Sequence, residues 1–396
     1  MQPRTRLGFA AATVSLVAVF AASGSPIPLY ERYRVQDGLT TGDLSIAAVS
    51  YFVAVMVSLV VLGRLSDHLG RRTVSLAAVA LAAVGSLALL DVTGLSVLVT
   101  GRVLHGVACG LASSALTTYV VDLAPDRPRW LAAATAAGSP LIGLTLGALG
   151  TGALAEHGPA PERTPYLVVT AVLAVCAALL AGSPEPVGRR PGALASLRPR
   201  VSLPPATRPL LPAAIAVFCA TWALGGFYQA FSPTIAARDL GTDSTLVAGT
   251  VFAAFMAPYA FGGPLTGRLA AGAAQRLGIV VFALAVTGVV VGLHTGSVVT
   301  VVLCGVVAGA GQGAAFTGTM RGLLARTDPA ERAGLMATVY LFSYGGAAVP
   351  SLVAGRLSAT LELSWIAVGY AVLALLAVGV VLGSSARPRA RVGTRP

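Results

Sequence analysis

The chain contains no lysine: all 27 basic residues are arginine, set against 15 acidic ones for a net charge of +12. Charge is scarce altogether, at 11% of the 396 residues, where soluble domains carry about 25%. With 56% hydrophobic residues and a mean hydropathy of +0.81, most of the chain must avoid water, which excludes a protein built on a large soluble core. No polar stretch exceeds about 26 residues, so no soluble catalytic domain is expected and the chain is not read as an enzyme. The four cysteines, Cys109, Cys176, Cys219 and Cys304, lie singly in apolar runs without metal-ligand spacing. They read as small buried hydrophobes, so neither disulfide, metal site nor cofactor is expected. So basic a soluble chain would raise nucleic acid as a partner. Here the arginines sit in short connections between apolar runs, where they set topology and meet anionic lipid headgroups, so no nucleic acid is expected.

What is present is apolar length. Charge-free runs suit crossings at Leu7–Tyr30, Leu44–Gly63, Thr73–Leu90, Ser96–Val121 (interrupted by Arg102), Leu131–Ala155 and Thr164–Gly182. Further runs cover Pro209–Ala237, Thr245–Gly267, Ala333–Gly355 and Leu363–Gly383. Leu277–Met320 is long enough for two helices with a break at Gly292–Ser297, which makes twelve crossings. The first run is too long for the apolar part of a signal peptide. With an even number of crossings both termini share one face; that face holds 21 arginines and the other 5, so both termini are expected to be cytoplasmic. The linker Ser183–Arg208, with six prolines and five arginines, separates six crossings from six. The expected organisation is a bundle over 1–182, a cytoplasmic linker over 183–208, a second bundle over 209–383 and a basic cytoplasmic tail over 384–396. The halves repeat weakly: Gly267-Arg268-Leu269 follows crossing eight as Gly63-Arg64-Leu65 follows crossing two, 204 residues earlier, with Asp67 replaced by Ala271.

Between crossings two and three stands Gly63-Arg-Leu-Ser-Asp67-His-Leu-Gly70-Arg71-Arg72. Gly63, Leu65, Asp67, Gly70, Arg71 and Arg72 match the loop signature of the major facilitator superfamily, and the chain resembles that family over almost its whole length. The resemblance implies an all-α integral membrane protein, twelve helices in two pseudo-symmetric six-helix bundles, working as a monomer in the cell's inner (plasma) membrane on a small-molecule substrate. It also implies that Asp67 latches the halves together in one state; the N-terminus of crossing eleven, near Ala333, is an expected partner, and Arg71 is expected to pair with Asp122.

Crossing four reads Leu98-x-x-x-Arg102-x-x-His105-Gly106-x-x-x-Gly110. It resembles the R-x-x-Q-G-x-x-x-G stretch of superfamily exporters, whose arginine faces the cavity and is linked to proton transfer, with His105 in place of glutamine. Residues three and four apart share a helix face, so Arg102, His105 and Gly106 are expected together on a proton or substrate path. The other reading has Arg102 snorkelling to the outer interface and His105 bonding a carbonyl. Gly143, Gly147 and Gly152 of crossing five resemble the antiporter signature g-x-x-x-G-P-x-x-G-G, but Ala148 stands at its proline and Thr151 at a glycine. Plain small-residue packing is the competing account. Ser23-Gly-Ser-Pro26-Ile-Pro28-Leu-Tyr30 resembles the proline-bearing first helix of drug:proton antiporters and expects a broken helix end.

No carboxylate lies deep in a span; Asp43, Asp91 and Asp122 sit at ends. The second half offers Trp222, Tyr228, Gln229, Gln312, Phe316 and Tyr340 as candidate cavity residues suited to a bulky, partly apolar solute. Two functions stay open: proton-coupled efflux of small amphiphilic molecules, as in the antiporter branch, and uptake of a sugar or organic acid, with Arg102 holding a carboxylate.

Overall fold

A computed structural model describes residues 3–385 apart from 126, 129 and 200. The expected tail thus lies almost entirely outside the described residues. Twelve helical segments are long and apolar enough to cross a membrane. They are α1 (Thr5–Gln36), α2 (Thr41–Leu62), α3 (Arg71–Ala88), α4 (Leu95–Leu123), α5 (Trp130–His157), α6 (Thr164–Ala181), α7 (Pro205–Arg238), α8 (Thr245–Leu265), α9 (Ala271–His294), α10 (Val298–Leu324), α11 (Pro329–Leu357) and α12 (Leu363–Ser384). No strand occurs among the described residues.

Local chemistry explains the punctuation. Thr40 and Asp43 form a reciprocal capping box at the start of α2, and Ser244 and Ser297 cap α8 and α10 through their hydroxyls. The break between α9 and α10 falls at a tight turn with Gly296 at φ 63°. In α1 the helix ends at Gly24, passes through a 3-10 turn at Ile27–Leu29 that follows Pro26 and contains Pro28, and resumes as Tyr30–Gln36. This extension puts Glu31 within the α1 segment, beyond the charge-free run that ends at Tyr30.

The same neighbours recur in both halves. In the first, α1 packs on α5 and α6, α2 on α4, and α3 on α4 and α6. In the second, α7 packs on α11 and α12, α8 on α10, and α9 on α10 and α12. Glycines set the closest approaches: Gly143 and Gly147 of α5 lie against the Val17 and Ala21 carbonyls of α1, leaving no room for a side chain. The small-residue pattern of α5 is therefore a packing surface, and the helix carries its proline at Pro140. Large apolar side chains such as Leu7, Leu265, Leu284, Val299 and Leu376 face outward, as a lipid-contacting perimeter requires.

The halves meet through α2 against α11 and α7, and through α5 against α8. The direct hydrogen bonds between them, among the described residues, lie at the face opposite the termini (the distal face). Ser45 Oγ donates to the Ser351 carbonyl at 2.8 Å, Thr245 Oγ1 to the Gly152 carbonyl at 3.0 Å, and Thr234 Oγ1 to Glu31 Oε2 at 2.9 Å. On the face bearing the termini, the linker intervenes instead. Ser202 N donates to the Gly334 carbonyl at 3.3 Å, and Thr338 Oγ1 to the Ser202 carbonyl at 3.0 Å. The linker is therefore packed against both halves despite its composition.

Candidate functional site

Between the halves lies a cavity of about 200 Å³. The first half contributes Phe20 of α1, Tyr51 and Phe52 of α2, Ser113 of α4, and Ala137, Pro140, Leu141 and Leu144 of α5. The second contributes Trp222, Gly225, Gly226 and Gln229 of α7, Met256 and Tyr259 of α8, Gln312 of α10, and Tyr344 and Ala347 of α11. None of these residues is charged. Trp222 Nε1, Gln229 Nε2 and Gln312 Oε1 are buried without a hydrogen-bond partner in the described structure. Two donors and one acceptor are thus left for whatever occupies the space. Aromatic contacts hold the walls: the Trp222 and Tyr344 rings meet edge-on at 4.7 Å, and Phe52 and Tyr344 lie 6.3 Å apart across the halves.

Of the six second-half residues expected at the cavity, Trp222, Gln229 and Gln312 line it. Tyr228 is turned away and stacks on Phe255 at 5.1 Å, Phe316 packs behind Tyr259 at 5.9 Å, and Tyr340 sits 6.3 Å behind Tyr344. The volume is below the roughly 300–1,000 Å³ of sites for drug-sized ligands, so the space suits a small solute rather than a bulky one. The first-half wall was not anticipated; its only signal is the Tyr51-Phe52 pair in an otherwise aliphatic helix. A second unanticipated feature is a π-helical turn at Ala112–Leu116 within α4, which brings Ser113 to the cavity. A larger cleft of about 560 Å³, lined by Arg34, Asp43, Arg238 and Arg356 among others, opens on the distal face.

Arg102 and His105 do not line the cavity. Arg102 is fully buried; its Nη1 donates to the Ser23 carbonyl at 2.6 Å, at the end of the first part of α1. Its guanidinium carbon stands 4.4 Å from the centroid of the Tyr51 ring, while Nε and Nη2 have no partner. Arg102 therefore neither snorkels outward nor opens to the cavity: Tyr51, itself a wall residue, screens it. Gly106 packs on the α2 backbone at Tyr51, with room for no Cβ. His105 points elsewhere, to α3, with Nε2 3.2 Å from Ser86 Oγ. Because Ser86 donates its own proton to the Ala82 carbonyl at 3.0 Å, His105 Nε2 is the donor to Ser86, and the bare Nδ1 is buried without a partner. Three residues of sequence separation turn the two side chains to different neighbours, so the expected shared face is not formed here.

The loop between α2 and α3 is a compact ionic node. Arg71 Nη1 donates to Asp67 Oδ1 and to Ser66 Oγ, and Arg71 Nε to Asp122 Oδ2 of α4 at 3.1 Å. Asp67 thus bonds to Arg71 rather than to the start of α11, whose Gly334 is held by the linker. Gly63 closes α2, and Gly70 starts α3 with φ 93°. A Cβ on Gly70 would lie 2.6 Å from Glu185 Oε2. Glu185, just beyond α6, accepts the Arg71 and Arg72 backbone N–H groups at 2.8 and 3.0 Å. The carboxylate caps the exposed amides of α3, where the helix dipole favours negative charge. Arg72 Nη1 reaches back to the Ser183 carbonyl at 3.1 Å. Arg64 Nη2 donates to the Ser196 and Arg198 carbonyls of the linker at 2.8 Å each, and His68 Nδ1 lies 3.0 Å from the Pro191 carbonyl. The loop motif is thus anchored to the linker, a set of partners that sequence reading did not foresee.

No group of three or more His, Cys, Asp or Glu side chains capable of holding a metal occurs among the described residues. No curated protein sequence matches the chain. The profile described as Major Facilitator Superfamily matches it over residues 11–241 and again over 213–395.

Proposed function

The chain belongs to the major facilitator superfamily and is a multi-pass membrane transporter of the secondary type, and we propose that it exports a small, uncharged amphiphilic molecule by alternating access. The observation that carries the substrate class is the cavity between the halves: aromatic walls, no charged lining residue, and three buried polar atoms awaiting partners. A solute with an apolar face, acceptors for Trp222 Nε1 and Gln229 Nε2 and a donor for Gln312 Oε1 satisfies all of them. A permanently charged solute would be desolvated there without a counter-charge. Arginine placement supports cytoplasmic termini; the hydrogen bonds between the halves then lie on the outer side, which supports entry of substrate from the cytoplasm or inner leaflet. Antiport of protons is the proposed driving force. A monomer suffices, since both cavity walls come from one chain.

Uptake of a small polar metabolite is the second reading, because the Trp222, Gln229 and Gln312 trio would equally serve sugar hydroxyls. The test uses purified protein in liposomes with a pH-sensitive dye and an imposed proton gradient. Uncharged amphiphiles, lipophilic cations, sugars and carboxylates are added in turn. Proton release on adding an uncharged amphiphile, weakened by Gln229→Ala and Gln312→Ala, is the expected result. Movement of a sugar without proton exchange would replace export with uptake, and movement of carboxylates or cations alone would overturn the substrate class.

A further inference from the structure

The two halves start their second helices in different ways. At the start of α2, Thr40 Oγ1 accepts the Asp43 N–H at 3.1 Å, while Asp43 Oδ2 accepts from Thr40 N at 2.8 Å and Thr40 Oγ1 at 2.7 Å. This capping box is complete within one helix. The repeat offset of 204 residues carries Thr40 to Ser244 and Asp43 to Val247. Ser244 still accepts the Val247 N–H at 3.1 Å, but valine offers no carboxylate. The missing group comes from the other half of the protein. Glu156, near the end of α5, accepts the Ser244 hydroxyl at 2.5 Å and the Leu246 N–H at 3.0 Å, both through Oε2.

We propose that Glu156 is a proton-binding gate residue: ionised, it completes the cap of α8 across the boundary between the halves and holds the distal face shut, and when protonated it releases that face. The inference rests on the alternating-access reading. In the closed arrangement one carboxylate oxygen takes two hydrogen bonds at a helix N-terminus, where negative charge is favoured. When the distal face opens, Glu156 leaves α8 and loses both. The closed state therefore prefers the ionised carboxylate. By linkage, acidification shifts the population toward the open distal face.

Protons reach the site from the distal side. A cleft of about 360 Å³ on that face is lined by Ser244, Asp243 and Thr242 together with Glu31 and Arg32 of α1. His157 on its own helix is the charged group that acts on Glu156; Asp243 stands beside Ser244, Glu31 and Arg32 line the neighbouring cleft, and Glu162 and Arg163 follow in the connection after α5. Two of the positive charges are engaged elsewhere: Arg32 lies 3.9 Å from Glu162, and Arg163 3.6 Å from Asp91. The Glu156 carboxylate is thus held chiefly by Ser244 and by the amide of Leu246.

The test places spin labels at Val35 and Ala359, on opposite halves of the distal face, through p-acetylphenylalanine so that the native cysteines stay in place. Distances are read by pulsed electron paramagnetic resonance on the full chain in lipid nanodiscs. Between about pH 8 and about pH 3, which brackets the carboxylate range, the wild-type ratio of short to long distance is expected to fall roughly two- to fivefold. Glu156→Gln should show the acid-like ratio at about pH 8 and a flat profile. The double variant Glu156→Gln/Val247→Asp gives α8 a cap of its own, as α2 has. It should recover wild-type thermal stability while the distal face stays open, which separates helix capping from gating. A Glu156→Gln protein that keeps both the short distance and the pH response overturns the proposal alone. A single distance in every variant and at every pH overturns the alternating-access reading with it. No substrate is needed, so the result is independent of which molecule is carried.

Discussion

Arg102 of α4 lies against the face of the Tyr51 ring of α2, with its guanidinium carbon 4.4 Å from the ring centroid and no carboxylate bonded to it. Among the described residues, the ring face and the Ser23 carbonyl meet the charge. A desolvated cation–π contact contributes about 2 kcal/mol. Tyr51→Leu is therefore expected to destabilise the purified protein by about 2 kcal/mol more than Tyr51→Phe, which keeps the ring. Thermal melting in detergent measures the difference, and equal losses would show that the ring face carries none of the charge.

Arg71 is tied to Asp67 and Asp122 at once, and its two carboxylate partners are not equivalent. The Asp67 side chain is 52% exposed, so its pair with Arg71 contributes little to stability. Asp67→Asn is expected to cut transport while changing stability by less than about 0.5 kcal/mol and leaving protein level unchanged. Arg71→Ala removes both pairs and the Ser66 bond, and should cost about 1 kcal/mol besides. Transport and melting measured side by side check both; normal transport in Asp67→Asn would remove its role as a conformational latch.

Gly70 and Glu185 form a mutually dependent pair. Alanine at 70 meets two obstacles: a backbone conformation of φ 93° and ψ 147°, which is essentially reserved for glycine, and the Glu185 carboxylate. The conformational part alone costs about 1–3 kcal/mol. In a double-mutant cycle with Glu185→Ala, the cost of Gly70→Ala should shrink to that part, because the collision has gone. An unchanged cost in both backgrounds would mean the carboxylate moves aside freely.

Asp239, just past α7, supplies a pH test. Burial raises its pKa, opposed by hydrogen bonding from Ser364, and nearby Glu362 raises it further. Its Oδ2 is buried without a partner. An acid whose folded pKa is raised weakens the fold once pH exceeds that value, and the penalty vanishes below the ordinary carboxylate range. Asp239→Asn should thus raise the melting temperature at neutral pH, with the gain fading as pH falls through the carboxylate range. A constant gain at every pH would assign the effect to packing instead.

Hydropathy and the spacing of arginines were enough to read twelve crossings, the break between α9 and α10, and the division into six and six, because a bilayer imposes one-dimensional rules of length and charge that a sequence obeys locally. The loop from Gly63 to Arg72 was legible as a motif because its glycines and charges are close in sequence, whereas its bonds to Glu185 and to the linker carbonyls join distant positions. The site was legible only in part. Gln229 and Gln312 were named because a polar side chain in an apolar helix demands a partner, and Trp222 as one of the rings of α7, whereas Tyr51 and Phe52 of α2 were not singled out. Helical spacing put Arg102 and His105 on one face, but the fold gave Arg102 to Tyr51 and Ser23 and gave His105 to Ser86. Glu185 on the α3 amides and Glu156 on the start of α8 join residues about 90 to 114 positions apart. Such partnerships depend on which helix ends converge in space, and side-chain packing across the bundle decides that, not the local pattern of the chain.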